Sequence, residues 1–177
     1  MVERNTATRR LAHSGFTLIE ILIVVVILGL LSSIVVPQFT KTSSQTREAT
    51  LKDCLRYLRS QIQVYKVQHA NVPPGFPEND PGQAPDATTF VAQMTEFTDD
   101  SGHANGTVSE VYRWGPYLSE LPANPMTSSN GILVVGGPSM PAPNPSQPYG
   151  WIYNPQLQQI RANLLGSDEA GMAYTSY

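Results

Sequence analysis

Cysteine is almost missing from this chain. Cys54 stands alone among 177 residues, so no intrachain disulfide can staple the fold. A lone cysteine in a helical pattern reads as a small buried apolar side chain rather than a reactive thiol or metal ligand. Charge is sparse as well, at 14 % of residues. From Val72 onward basic residues nearly vanish: Arg113 and Arg161 face ten acidic residues, a net of −8. A nucleic-acid surface needs a basic, aromatic-bearing face, so that half of the chain offers none. Histidine is limited to His13, His69 and His103. No nucleophile motif, phosphate loop or metal-spaced cluster accompanies them, so no catalytic or metal-binding residue is assigned and the chain does not read as an enzyme.

What is present is sharply partitioned. The segment before Phe16 carries Glu3, Arg4, Arg9 and Arg10, a net of +2, and residues 41–71 hold six basic and two acidic residues, a net of +4. A cationic stem and an anionic head in one chain suggest copies that complement each other. The 15 prolines and 13 glycines predict much turn and loop. The length fits one domain plus an N-terminal segment.

That segment is an apolar run, Phe16 to Val36, with a single charge, Glu20. At 1.5 Å per residue it is about 30 Å long, one bilayer core. A carboxylate at mid-bilayer costs about 2.5–3.5 kcal/mol, so it needs a compensating partner. Three arginines before an apolar run suggest a secretory signal peptide, but such a signal has a shorter run and a small-x-small site after it. Here the small residues, Ser14-Gly15, come first.

Gly15-Phe16-Thr17-Leu18-Ile19-Glu20, behind a short basic leader, resembles the prepilin signal of the type IV pilin-like family. The resemblance implies a prepilin peptidase that cuts after Gly15 on the cytoplasmic side and methylates the new amine of Phe16. It also implies that the apolar run anchors the chain in the membrane and later forms the core of a helical filament. The Glu20 carboxylate of an incoming subunit would then pair with the terminal amine of its neighbour, since opposite charges in a low-dielectric layer attract strongly. The arginine excess at the start predicts the orientation, N-terminus cytoplasmic and the rest of the chain exported, and the resemblance implies a single-pass inner-membrane protein with a periplasmic head.

Gly29 and Pro37 are poor helix formers, and both match the part of the pilin-like helix that melts on assembly. Beyond Pro37, Leu51, Leu55, Leu58, Ile62, Tyr65 and His69 form a seam spaced by fours and threes, one face of an amphipathic helix that needs a sheet as cover. His69 ends the seam as a boundary residue. Lys52, Arg56, Arg59, Gln63 and Lys66 run beside it, read as a solvated or subunit-facing stripe. Asn71-Val72-Pro73-Pro74-Gly75 stops the helix, so residues 16–70 make a rod of roughly 80 Å.

In the head, Thr88 or Thr89 is the predicted cap of a short helix through Phe97, with Phe90, Val91, Met94 and Phe97 on one side. Asp99, Ser101 and Glu110 partly match a calcium-loop template, but His103 and Ala104 depart from it, and calcium is not expected. Asn105-Gly106-Thr107 fits a glycosylation sequon by chance. Residues 114–125 read as a rigid linker across the core. Residues 132–135 form a short strand, followed by a proline-rich loop, and residues 151–153 and 159–162 flank a turn at Asn154-Pro155. The last 14 residues show no strong pattern.

Gly115-Pro116-Tyr117-Leu118, Leu121-Pro122 and Asn124-Pro125 resemble a run in the major pseudopilins of type II secretion systems. Those proteins commonly bind calcium in a C-terminal aspartate-rich loop. This chain offers only Asp168 and Glu169 after the Trp151 hairpin, so calcium is not carried over.

The expected architecture is α+β and pilin-like, a long N-terminal helix packed on a small antiparallel sheet. Its parts are a leader peptide (1–15), a transmembrane assembly helix (16–36), an amphipathic stem helix (37–71) and a periplasmic head (72–177). The resemblance implies a structural subunit of a secretion pseudopilus. Its partners would be the prepilin peptidase, other copies of itself, minor pseudopilins and an inner-membrane assembly platform, without nucleic acid. The alternative is a pilin or minor pilin of a surface filament serving adhesion, motility or DNA uptake. The residues that carry either role are Gly15 and Phe16 for processing, and Phe16, Glu20, Gly29 and Pro37 for assembly.

Overall fold

The computed structural model describes residues 15–177, and over 34–42 the backbone alone. The leader residues Glu3, Arg4, Arg9 and Arg10 lie outside the described residues. Two compact units divide after Thr42. A single helix, α1 (Leu18–Gln68), starts in the first and ends in the second.

In the first unit α1 runs helical through both Gly29 and Pro37. Ser33, which could compete with the helix for backbone hydrogen bonds, instead donates its hydroxyl to the Leu30 carbonyl at 2.7 Å. Among the described residues no helix is long and apolar enough to cross a membrane. The apolar stretch whose side chains are described ends at Ser33, short of the predicted span.

The second unit is organised by the seam. Leu51, Leu55, Leu58 and Tyr65 are fully buried, Ile62 and His69 nearly or wholly so. The helix closes as predicted before Pro73: Ala70 and Asn71 turn left-handed (φ 50° and 68°), and the Asn71 amide donates back to the Lys66 carbonyl at 2.9 Å.

α2 (Ala87–Thr95) follows a single 3-10 turn, Pro77–Asn79. Its cap is Asp86, not Thr88 or Thr89. The Asp86 carboxylate accepts from the Thr89 amide at 2.8 Å and the Thr89 hydroxyl at 2.6 Å, so the carboxylate two residues upstream wins the capping position. Phe90 and Met94 face the core, while Val91 points out. Phe97 lies beyond the helix, in β1 (Phe97–Thr98), which pairs antiparallel with β2 (Ala104–Asn105).

The main sheet has the order β3-β4-β5, with β3 (Ile132–Val134), β4 (Trp151–Asn154) and β5 (Gln159–Ala162). The hairpin β4–β5 is antiparallel around the predicted Asn154-Pro155 turn. β3 departs from the expected pattern by lying parallel to β4, Ile132 opposite Trp151. Parallel neighbours need a crossover of about a dozen residues or more, and the proline-rich loop 135–150 supplies it. That loop is tied down by Asn163, whose amide donates to the Asn144 and Tyr149 carbonyls at 2.8 and 2.9 Å. Asn154 holds its other end, donating to the Gly137 carbonyl at 3.0 Å.

The sheet and α2 cover the α1 seam through Trp151, Tyr153, Ile160, Phe90 and Met94, all buried in one cluster. Residues 117–121 lie across it as expected. The Tyr117 and Leu118 amides both donate to the Met94 carbonyl, and both side chains are buried. Asn124, fully buried, ties this run to the hairpin by donating to the Gly150 carbonyl at 2.9 Å. A Cβ on Gly150 would stand 2.2 Å from the Ser129 carbonyl oxygen, so only glycine admits this approach.

Candidate assembly segment

The predicted processing residues and Glu20 lie together at the start of α1, and Gly29 and Pro37 lie further along it. Gly15, Phe16 and Thr17 precede it, and Glu20 lies in its first turn. The Glu20 amide donates to the Thr17 hydroxyl at 3.3 Å, and the Thr17 amide faces Glu20 Oε2 at 3.5 Å. This is a reciprocal capping box, threonine at the cap and glutamate three residues on, which satisfies two amides the helix leaves open. The carboxylate also meets the positive end of the helix dipole. The sequence pattern Thr17-x-x-Glu20 at the head of an apolar run is the signal that marks this cap.

After this cap the helix is apolar on every side. All large apolar side chains from Phe16 to Leu31 are exposed, from 44 % at Val24 to 86 % at Leu18. A helix that is hydrophobic all round belongs in a core or a membrane. A Cβ at Gly29 would touch nothing within 4 Å, so packing within the described chain does not require glycine there. Pro37 lies within the helix, and its side chain is outside the description.

The other singled-out residues are structural. His69 stacks on Tyr65 at 3.9 Å between ring centroids. Its Nδ1 lies 2.9 Å from the Tyr65 carbonyl, and its Nε2 lies 2.9 Å from the Asp99 carbonyl and 3.0 Å from the Thr98 hydroxyl. It therefore joins the stem end to the β1 turn. Asp99 organises its own turn, accepting from the Ser101 and His103 amides at 2.9 Å each. Cys54 is half-buried, and burial, reinforced by Asp53, pushes its thiol up, away from the reactive thiolate.

The cationic stripe reads differently in three dimensions. Arg56 is exposed beside Asp53, but Lys66 donates to Gln158 at 2.6 Å, Arg59 to the Ile160 carbonyl at 3.1 Å, and Lys52 pairs with Asp168 at 3.3 Å. The expectation of a solvated stripe is thus corrected for Lys66, which is buried, while Lys52 and Arg59 keep solvent exposure but also bind their own chain. The cause is tertiary: the β4–β5 hairpin brings the Gln158 side chain and the Ile160 carbonyl to Lys66 and Arg59, and the closing segment 165–177 brings Asp168 and the Tyr177 main-chain oxygen to Lys52 and Arg59.

The same geometry bears on calcium, which the resembling pseudopilins commonly bind and which is not expected here. Calcium takes six to eight oxygens from flexible ligands. In the closing segment the Asp168 carboxylate already accepts from Lys52, Tyr177, Ala170 and Met172, and Glu169 accepts from Gln45 at 2.7 Å. The donor set does not fit a calcium ion.

Residues 10–36 match the family model described as the prokaryotic N-terminal methylation motif. The chain is similar to type II secretion system core protein G of Pseudomonas aeruginosa, 38 % identical over 65 residues, 37 % of this chain and 46 % of that protein. The protein of the same name in Vibrio cholerae is 29 % identical over 124 residues, 70 % of this chain and 73 % of that one. The major component of the type IV narrow pilus of Thermus thermophilus is 39 % identical over 59 residues, 33 % of this chain and 51 % of that protein. The chain spans about half the length of the first curated relatives it matches. No solved structure matches.

Proposed function

We propose that this chain, which carries the prepilin-type methylation motif, is a structural subunit of a type II secretion pseudopilus. Supporting the reading is the first stretch of α1, residues 18–33, apolar on every side, whose one carboxylate, Glu20, sits in the first turn. The likeness to core protein G of secretion systems supports secretion in particular.

In this reading residues 1–15 are a leader held in the cytoplasm by Arg4, Arg9 and Arg10. Residues 16–36 anchor the chain once in the inner membrane. The stem, 37–71, and the head, 72–177, stand in the periplasm. A prepilin peptidase removes the leader after Gly15 and methylates Phe16. In the free subunit Glu20 caps its own first turn. In the filament it pairs with the cationic Phe16 amine of a neighbour, which fixes register by joining two charges that are each costly alone in lipid. Gly29 and Pro37 supply the place where the helix unwinds on assembly. Minor pseudopilins and an inner-membrane assembly platform complete the machine.

The secreted proteome of a strain lacking the chain tests this against its parent. Loss of many exported proteins from the medium is the expected result. An intact secretome would instead favour a surface pilus subunit, a second reading supported by the likeness to the Thermus thermophilus pilus component.

A further inference from the structure

Asp168 has no free valence for a metal. Its Oδ1 accepts from the Ala170 and Met172 amides at 3.0 and 2.8 Å. Its Oδ2 accepts from the Tyr177 hydroxyl at 2.7 Å and the Lys52 ammonium at 3.3 Å. An ionised carboxylate offers about four lone-pair sites, and these four donors fill them. The side chain is only 6 % exposed, so it needs a counter-charge at hand. Lys52 provides one, and it also sits 4.3 Å from the centroid of the Tyr177 ring.

Around this pair the closing segment is pinned to α1 at three further points. The Tyr174 hydroxyl donates to Glu48 at 3.0 Å, Gln45 donates to Glu169, and Arg59 donates to the main-chain oxygen of Tyr177. Glu48 and Glu169 each give one oxygen to these bonds, and among the described residues no group of three or more acidic, histidine or cysteine side chains gathers that could hold a metal ion.

We propose that Lys52 is the built-in cation of this head. Its ammonium holds the segment 165–177 against α1 through Asp168, in the stretch of chain where the resembling pseudopilins take calcium. Closure of this head therefore needs no divalent metal. The inference stands on the geometry of Ser43–Tyr177 and is independent of whether the filament serves secretion.

The test uses the full chain in detergent micelles. Thermal melting and hydrogen exchange of residues 165–177 are followed in EDTA and in about 1 mM calcium chloride, where weak extracellular calcium sites fill. The wild type should behave identically in both. Lys52→Met keeps the aliphatic stem and removes the charge. It should lower Tm by about 3–8 °C and speed exchange in 165–177 on the order of tenfold, while Lys52→Arg keeps most of the protection. A calcium-dependent rise in wild-type Tm of several degrees would overturn the proposal, as would unchanged exchange in Lys52→Met. Should Lys52→Met fail to fold, Tyr177→Phe decides. It removes one Asp168 donor, so exchange should quicken in 165–177 alone, and unchanged exchange overturns the idea.

Discussion

At the scale of single residues, the cap that Glu20 forms and the pairing proposed for it can be separated by chemistry. A glutamine at the third helical position also completes a capping box, but it cannot pair with an amine as an ion. Glu20→Gln should therefore insert and fold normally yet fail to form filaments, which electron microscopy of sheared filaments and membrane fractionation would read together. Normal filaments from this variant would sink the charge-pairing account. Processing is equally local. The mature N-terminal peptide should begin at Phe16 and carry one added methyl, and a mass spectrum showing intact Met1 in the membrane-bound chain would refute it. In the head, Asn124→Ala removes the donor to Gly150 and the acceptor for the Met126 amide. Leaving such buried groups unpaired should cost about 1–3 kcal/mol in a denaturant titration.

The elements differ in how openly the sequence declares them. The α1 seam was legible because its spacing matches one helical face and its residues are apolar, and all six positions are buried. Leu55→Ala should cost about 2–5 kcal/mol, the range for a fully buried leucine. The α2 cap was misplaced because threonine and aspartate both cap well and only the backbone course decides between them. Asp86→Ala should cost about 1 kcal/mol, whereas Thr88→Ala should leave stability nearly unchanged. Equal losses from both would contradict the observed cap. The β4–β5 hairpin was legible from its turn, but the parallel direction of β3 was not, since a three-residue strand carries no mark of its partner's direction.

For the whole molecule, the closing segment sets the pH range. Asp168 is pulled down to about 2 by the Tyr177 hydroxyl first, then by the Met172 amide and Lys52. A carboxylate depressed in the fold contributes stability above its unfolded value of about 3.9, and that contribution is lost as pH falls through about 2. Tyr174 is raised to about 12 by burial first and by its bond to Glu48. Its contribution is present below about pH 10 and is lost as pH climbs through about 12. Hydrogen exchange of 165–177 should thus stay slow from about pH 4 to 10 after correction for intrinsic rates, and opening near pH 6 would contradict the closure. The sequence by itself determined the prepilin-type start, the helical seam and the sign of charge in each half, because these depend on neighbours within a few residues. Only the tertiary structure decided that Lys52, Arg59 and Lys66 serve their own chain. Their partners lie 92 to 118 residues away, and no local pattern of charge records which distant oxygen the fold will bring to a cation.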